Sequence, residues 1–384
     1  MSTDTAAPVV IAPDKFKGSA DAMRVASRLA VGIRRTAPEV PVTLLPVADG
    51  GEGTVDAAVA AGFERRSVAV TGPLDGTAVD AHFALRDELA VIEMAQAAGL
   101  QLLPAGRPAP LEAGTRGVGQ LVTAALDAGA RTIVLGAGGS ASTDGGAGML
   151  AALGARLLDE AGRALPGGGG ALARLARVDT TSLDARLART GFVLAADVDN
   201  PLLGPQGAAA AYGPQKGADP QQVALLEASL GHYTEVLAAC LGPAARQVAG
   251  LPGSGAAGGF GFAVMAVLQG VRVPGIDVLL DLLGLAKQVA GARLVITGEG
   301  SLDAQSLRGK APLGVAQLAR RHAVPTVAVC GRLALTAQQA REAGFRATYA
   351  LTSLEPDPRR CMSEVDALLE ATGEQIAREQ LRTG

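Results

Sequence analysis

Carboxylates recur where short apolar runs end. Asp14 follows VVIAP, Asp49 follows LLPVA, Asp197 and Asp199 follow FVLAA, and Glu299 follows LVITG, with Asp303 shortly after. Asp49 opens DGGEG, which also holds Glu52. Only five of the 34 basic residues are lysines. Four of them, Lys15, Lys17, Lys216 and Lys310, lie in Gly- or Asp-rich, loop-like stretches, whereas Lys287 lies in an ordinary helical run. A single loop carboxylate is commonly a turn-former or a helix cap. Together, carboxylates for Mg2+, compact ammonium groups for phosphate oxygens and glycines for close backbone approach are the parts phosphoryl transfer requires.

The most informative single segment is TIVLGAGGSASTDGGAGMLAALGARLLDE. A strand runs into Gly136, Gly138 and Gly139, then Ser140, Ser142, Thr143 and Asp144, then a helix. Freed backbone N–H groups in such a loop, and a helix N-terminus after it, stabilise anionic oxygens. Gly136-x-Gly138-x-x-Ala141 also satisfies the dinucleotide fingerprint, with Asp159 at the distance of a ribose ligand. An NAD-dependent oxidoreductase is therefore a rival reading. Gly145, Gly146 and Gly148, which interrupt the supposed helix, and the crowd of hydroxyls count against it. No Walker motif is present, because Gly309-Lys310 is followed by Ala311. His82, His232 and His322 occur singly, so neither a zinc site nor a Ser-His-Asp triad is expected.

These residues need elements to hold them, and the two ends of the chain read alike. VVIAP, a helix over Asp21–Arg35 and PVTLLPV form one alternation. LVITG, a helix over Pro312–His322, TVAVCG, a helix around Gln338–Ala343 and TYALTS form another. Apolar runs separated by helices predict parallel βαβ units, which bind ligands at the carboxyl ends of their strands. Between Ser67 and Glu93 the pattern is a meander; a helix (Thr115–Ala128), a strand (Thr132–Leu135) and the Gly-rich loop follow. The expected architecture is α/β with two α/β domains. One is a Rossmann- or flavodoxin-like parallel sheet formed by both chain ends (1–66 plus 288–384). The other, carrying the Gly-rich loops, is inserted between them (67–287).

Composition narrows the function further. A chain of 384 residues with 48% hydrophobic and 18% charged residues is globular rather than disordered. Aromatic content of 3% without Trp, and a net charge of -3, argue against a nucleic-acid partner. The longest uncharged stretch is Gly-rich with a short apolar centre, so no membrane span is expected. Cys240, Cys330 and Cys361 are widely spaced and read as reduced thiols of a cytoplasmic protein. The start, MSTDTAAPVVIAPD, lacks a basic segment, and no signal peptide is expected. A non-catalytic sugar-acid-binding protein is a further alternative, one that lacks any visible output module.

At APDKFKGS, PVADGGEGTVDA, TRGVGQL, GGSASTDGGAGML, DVDNPLLG, YGPQKGA, PGSGAAGGFG and VITGEGSLDAQSLRGKAPLGVA the chain resembles the bacterial glycerate kinases. Eight segments in one order, with the rest aligning in pattern, are far more specific than one Gly-rich loop. The resemblance implies ATP- and Mg2+-dependent phosphorylation of D-glycerate, in most such enzymes to 2-phosphoglycerate, with glycerate 3-kinase chemistry as the alternative. It also implies two α/β domains with the active site in the cleft between them; a homodimer is compatible with it. Ser142-Thr143-Asp144 stands where Thr-Asn-Asp is common in the family, and Ser301 where Arg is frequent. A hydroxyl attacking the γ-phosphate needs an ionised carboxylate as base; Asp197 is the expected one and Asp144 the runner-up, with Lys15 and Lys17 neutralising charge on phosphate or glycerate carboxylate. Asp14, Asp49, Arg116 and Lys216 are expected at the substrate, and Gly138, Gly139, Ser140, Ser142, Glu299 and Lys310 at the nucleotide. Asp144 and Asp303 are expected at the metal.

Overall fold

The computed structural model describes residues 7–48 and 50–381, so Asp49 lies outside the described residues. In chain order the strands are β1 (Val9–Pro13), β2 (Val42–Leu44), β3 (Glu64–Thr71), β4 (Ala78–Arg86), β5 (Leu89–Glu93) and β6 (Thr132–Gly136). There follow β7 (Arg156–Leu158), β8 (Arg177–Asp179), β9 (Gly191–Ala195), β10 (Val271–Val273), β11 (Leu294–Leu302), β12 (Thr326–Leu333) and β13 (Phe345–Ala350). The chain divides into two compact units, one of residues 7–48, 56–61 and 276–381, the other of 50–55 and 62–275.

The first unit is built on an all-parallel sheet in the order β13-β12-β11-β1-β2. Counted within the unit this is 2-1-3-4-5, the flavodoxin-like order. β1 shows why its sequence reads as a continuous apolar run: Val9 and Ile11 join one core, Val10 and Ala12 the core on the opposite face. A strand covered on both faces needs no polar alternation. The helix Ala22–Thr36 starts at Asp21, whose carboxylate accepts from Arg24 N at 2.7 Å, and buries Val25, Leu29 and Ile33 at four-residue spacing. Ile276, Leu279, Leu280 and Leu283 pack with Val10, Ala12 and Val295. The sequence reading assigned those four to the inserted segment, because an amphipathic helix does not record which sheet it covers.

The second unit carries a mixed sheet, β10-β9-β6-β5-β4-β3. β3, β4 and β5 form the expected antiparallel meander, and β5, β6, β9 and β10 run parallel. Register aligns Glu93, Gly136 and Ala195 at the carboxyl ends of β5, β6 and β9. Residues 50–53 close over these ends. A Cβ on Gly138 would lie 2.4 Å from the Cα of Gly51, so only glycine permits that approach. No helix among the described residues is long and apolar enough to cross a membrane.

Candidate active site

In the first unit, β1 and β11 are the neighbours at which strand order reverses, the place where open α/β sheets bind ligands. Asp14 N donates to Gly298 O at 2.8 Å, which sets the loop after β1 beside Glu299. The Asp14 carboxylate accepts from Lys15 N at 2.7 Å. Lys15 is half-buried and Lys17 exposed. A Cβ on Gly300 would come within 3.3 Å of Lys17 N, so this loop lies against the end of β11. Glu299 is buried; its Oε2 lies 3.5 Å from Lys310 Nζ, and its Oε1 has no hydrogen-bond partner among the described residues. Burial pushes the Glu299 carboxyl up, while Ser306 and Lys310 pull it down. Lys310 is the N-cap residue of the helix Ala311–Arg321. Asp303 closes a turn, its Oδ1 accepting from Gln305 N at 2.8 Å and Ser306 N at 3.4 Å. Asp14, Lys15, Lys17, Glu299, Asp303 and Lys310 thus gather around one end of one sheet.

In the second unit the Gly-rich loop is mostly interior. Only Gly138 and Gly139 reach the surface; Ala141 to Gly146 are buried. Asp144 is fully buried, and its Oδ2 accepts from Thr115 N (2.9 Å), Thr115 Oγ1 (2.9 Å) and Gly148 N (3.1 Å). Its Oδ1 accepts from Gly146 N at 3.1 Å, and Thr115 Oγ1 in turn accepts from Met149 N at 2.9 Å. Burial raises the Asp144 carboxyl above its ordinary value, and these donors oppose the rise. The arrangement anchors the loop to the starts of two helices. Four internal donors thus occupy the carboxylate for which the sequence suggests a metal role. Ser142, expected at the nucleotide, is likewise fully buried.

Lys216, expected at the substrate, is buried as well. It is 2% exposed, and its ammonium donates to Ser140 Oγ at 2.9 Å and Ser142 O at 2.5 Å. These two bonds tie it to the Gly-rich loop. Burial pushes its pKa down to about 7, against the pull of Asp144. Asp197, two residues beyond β9, is half-buried, and its Oδ1 accepts from Gly275 N at 2.7 Å. Its neighbour Asp199 pairs with Arg272 at 2.7 Å on the exposed side. Arg116 is exposed at the first position of the helix Arg116–Asp127 and lines a cavity of about 280 Å³ with Asp75 and Arg156.

Two positions escaped the sequence reading. Glu93 is 1% exposed, and its Oε2 accepts from Gly53 N at 3.0 Å, which ties the DGGEG segment to β5. The signal was a lone carboxylate in the apolar run LAVIEMA. Thr115, in TRGVGQL, completes the cage around Asp144 and gave no signal of its own. The dinucleotide reading fails on geometry. The helix begins only at Ala147, and Asp159 closes an exposed turn, accepting from Ala161 N and Arg163 N at 2.9 Å each.

Among the described residues no group of three or more His, Cys, Asp or Glu is disposed to hold a metal ion. Mg2+ held through one or two carboxylates and substrate phosphates needs no such cage. The buried Oε1 of Glu299, without a hydrogen-bond partner among the described residues, fits one contact of that kind.

A flavodoxin-like sheet with carboxylates and lysines at its switch point, and a second α/β unit with a Gly-rich loop at its strand ends, make an α/β protein that carries the parts phosphoryl transfer requires. Comparison with known proteins gives the family. The profile of the glycerate kinase family matches residues 9–381. A glycerate kinase of Halalkalibacterium halodurans is 43% identical over 372 residues, covering 96% of this chain and 97% of that protein. A glycerate 2-kinase of Escherichia coli K12 is 43% identical over 351 residues, 90% of this chain and 91% of that protein. A crystal structure from Salmonella typhimurium LT2, whose proposed identity is glycerate kinase 2, superposes with a TM-score of 0.84 at 41% identity, covering 97% and 98% of the two chains. The chain belongs to the glycerate kinase family.

Proposed function

We propose that this protein transfers the γ-phosphoryl group of ATP to D-glycerate in the cytoplasm, giving 2-phosphoglycerate and ADP, with Mg2+ as the metal. The observation that carries the reading is the switch point of the first unit, where Glu299, beside Lys310, keeps a buried oxygen without a hydrogen-bond partner among the described residues. A carboxylate and an ammonium so close suit a metal–phosphate group, because each neutralises part of what the other leaves. Mg2+ bound there would neutralise charge on the phosphate oxygens. Lys15 and Lys17, next in the same loop cluster, add positive charge for phosphate or for the glycerate carboxylate.

Asp197 is assigned the proton. Gly275 N–H occupies Oδ1 and fixes the carboxylate plane, and a fixed carboxylate at a strand end can accept the proton of the attacking hydroxyl. Asp14 and Arg116 remain the proposed contacts to the glycerate carboxylate and hydroxyls, with Gly138 and Gly139 offering backbone N–H groups. The name of the Escherichia coli relative supports the 2-hydroxyl as acceptor. The test is ADP release by the purified protein. Release should require both D-glycerate and Mg2+, stop with EDTA and return with excess Mg2+. ADP release indifferent to D-glycerate would refute the reading.

A further inference from the structure

A buried lysine is uncommon, because removing an ammonium from water is costly unless its environment compensates. Lys216 is therefore a position where sequence and burial disagree. It sits on the short turn Pro214–Lys216, between the helix Ala208–Tyr212 and the 22-residue helix Pro220–Leu241. The turn is itself held fast. Lys216 N and Ala218 N both donate to Gly213 O at 3.0 Å, and Asp219 and Gln222 form a capping box one residue later. From this support the side chain reaches the Gly-rich loop, 74 to 76 residues away in sequence.

The loop is fastened along its length. Leu100 N donates to Gly139 O at 2.9 Å, Ala141 N to Ala98 O at 2.8 Å and Gly145 N to Gly258 O at 3.0 Å. Asp144 anchors its far end through Thr115, Gly146 and Gly148. Between these ties, Lys216 holds Ser140 through its hydroxyl and Ser142 through its carbonyl. That is the stretch directly after Gly138 and Gly139, the part of the loop that reaches the surface.

We infer that Lys216 is a positioning residue for phosphoryl transfer: its buried side chain fixes the geometry of residues 140–142 and so of the exposed Gly138–Gly139 turn, without touching either substrate. The inference rests on the reading above, in which that turn faces a reacting ligand. Electrostatic stabilisation of a transition state depends on donors held in place beforehand, so a loosened loop lowers kcat more than it weakens binding. The chemistry also explains why a lysine is used. Three N–H directions on one atom can serve a hydroxyl and a carbonyl together, and a neutral amine keeps two of them.

The experiment compares wild type with Lys216→Met, which keeps the length of the stem and removes the donors. Amide hydrogen exchange without substrate reads the loop, and steady-state kinetics with ATP, Mg2+ and D-glycerate reads the reaction. Protection of residues 139–146 should fall about tenfold or more. The kcat should fall about tenfold or more, with KM for both substrates changed less than about threefold. Ser140→Ala, which removes one tie with little change of volume, should give a smaller effect of the same kind even if Lys216→Met folds poorly. The double variant should be no worse than Lys216→Met alone, because Lys216→Met already removes the one contact that Ser140→Ala removes. Unchanged loop protection in both variants would overturn the inference. A raised KM with normal kcat would overturn it too, since Lys216 would then contact a ligand. Lost protection with unchanged kcat would show that the loop does not serve the reaction. The exchange arm needs no turnover, so an inactive wild type would count against the proposed reaction and leave the loop measurement standing.

Discussion

Asp144→Asn separates an anchoring carboxylate from a metal ligand. The wild-type carboxylate accepts three hydrogen bonds at Oδ2 and one at Oδ1, all from inside the second unit. An asparagine can turn its carbonyl oxygen towards Thr115 and Gly148, but its amide nitrogen must then face Gly146 N–H, donor against donor. The loss of one hydrogen bond to a charged acceptor costs about 1.5–3 kcal/mol, and the remaining three lose their ionic character. Relief from burying a charge offsets part of this. The net cost is about 2–4 kcal/mol, and at roughly 2–4 °C per kcal/mol for a unit of this size the Tm should fall by about 4–16 °C. Thermal unfolding without substrate and in EDTA reads this directly. A Tm within about 2 °C of wild type, combined with lost Mg2+-dependent activity, would refute the anchoring role and return Asp144 to the metal.

Asp197→Asn keeps shape but removes proton acceptance, so kcat should fall about 10²–10⁴-fold with ATP affinity little changed; steady-state kinetics and ATP titration check both. Glu299→Gln should raise the Mg2+ concentration for half-maximal rate about tenfold or more, read by metal titration at fixed ATP. Lys216 gives a pH signature. Its folded pKa of about 7 lies below the unfolded value of 10.5, so between those limits the unfolded chain binds the extra proton. Stability of wild type relative to Lys216→Met should therefore rise with pH from 7 to 9, by at most about 1.4 kcal/mol per unit, in denaturant titrations across that range.

Most elements were legible because local signals agreed with tertiary structure. The helix expected over Asp21–Arg35 is Ala22–Thr36, and that expected over Thr115–Ala128 is Arg116–Asp127. The continuous apolar run VVIAP did become a strand covered on both faces. The site was legible as a set of loops but not as a set of roles. Glu299 and Lys310 were both expected at the nucleotide, and they are neighbours. The internal partners of Ser142, Asp144 and Lys216 could not be read from the sequence. A Ser-Thr-Asp loop looks the same whether its donors and acceptors meet a ligand or meet Thr115, Gly146, Gly148 and a lysine arriving from a distant turn. Long-range partners of this kind leave no periodicity in the chain. The expected joint at 287/288 and the observed division at 275/276 differ for a similar reason: Ile276, Leu279 and Leu283 declare an apolar face but not the sheet that receives it.

The central claim is that the second-carbon hydroxyl of D-glycerate takes a phosphoryl group from ATP. Proton-coupled ³¹P NMR of a reaction containing the enzyme, ATP, Mg2+ and D-glycerate tests it most directly. Phosphate on the second carbon is coupled across oxygen to one proton, so a new phosphomonoester doublet should grow as the γ-phosphate signal of ATP declines. A triplet would mean transfer to the terminal hydroxyl, whose carbon carries two protons. Growth of inorganic phosphate alone, or no change beside an active control kinase, would contradict the account.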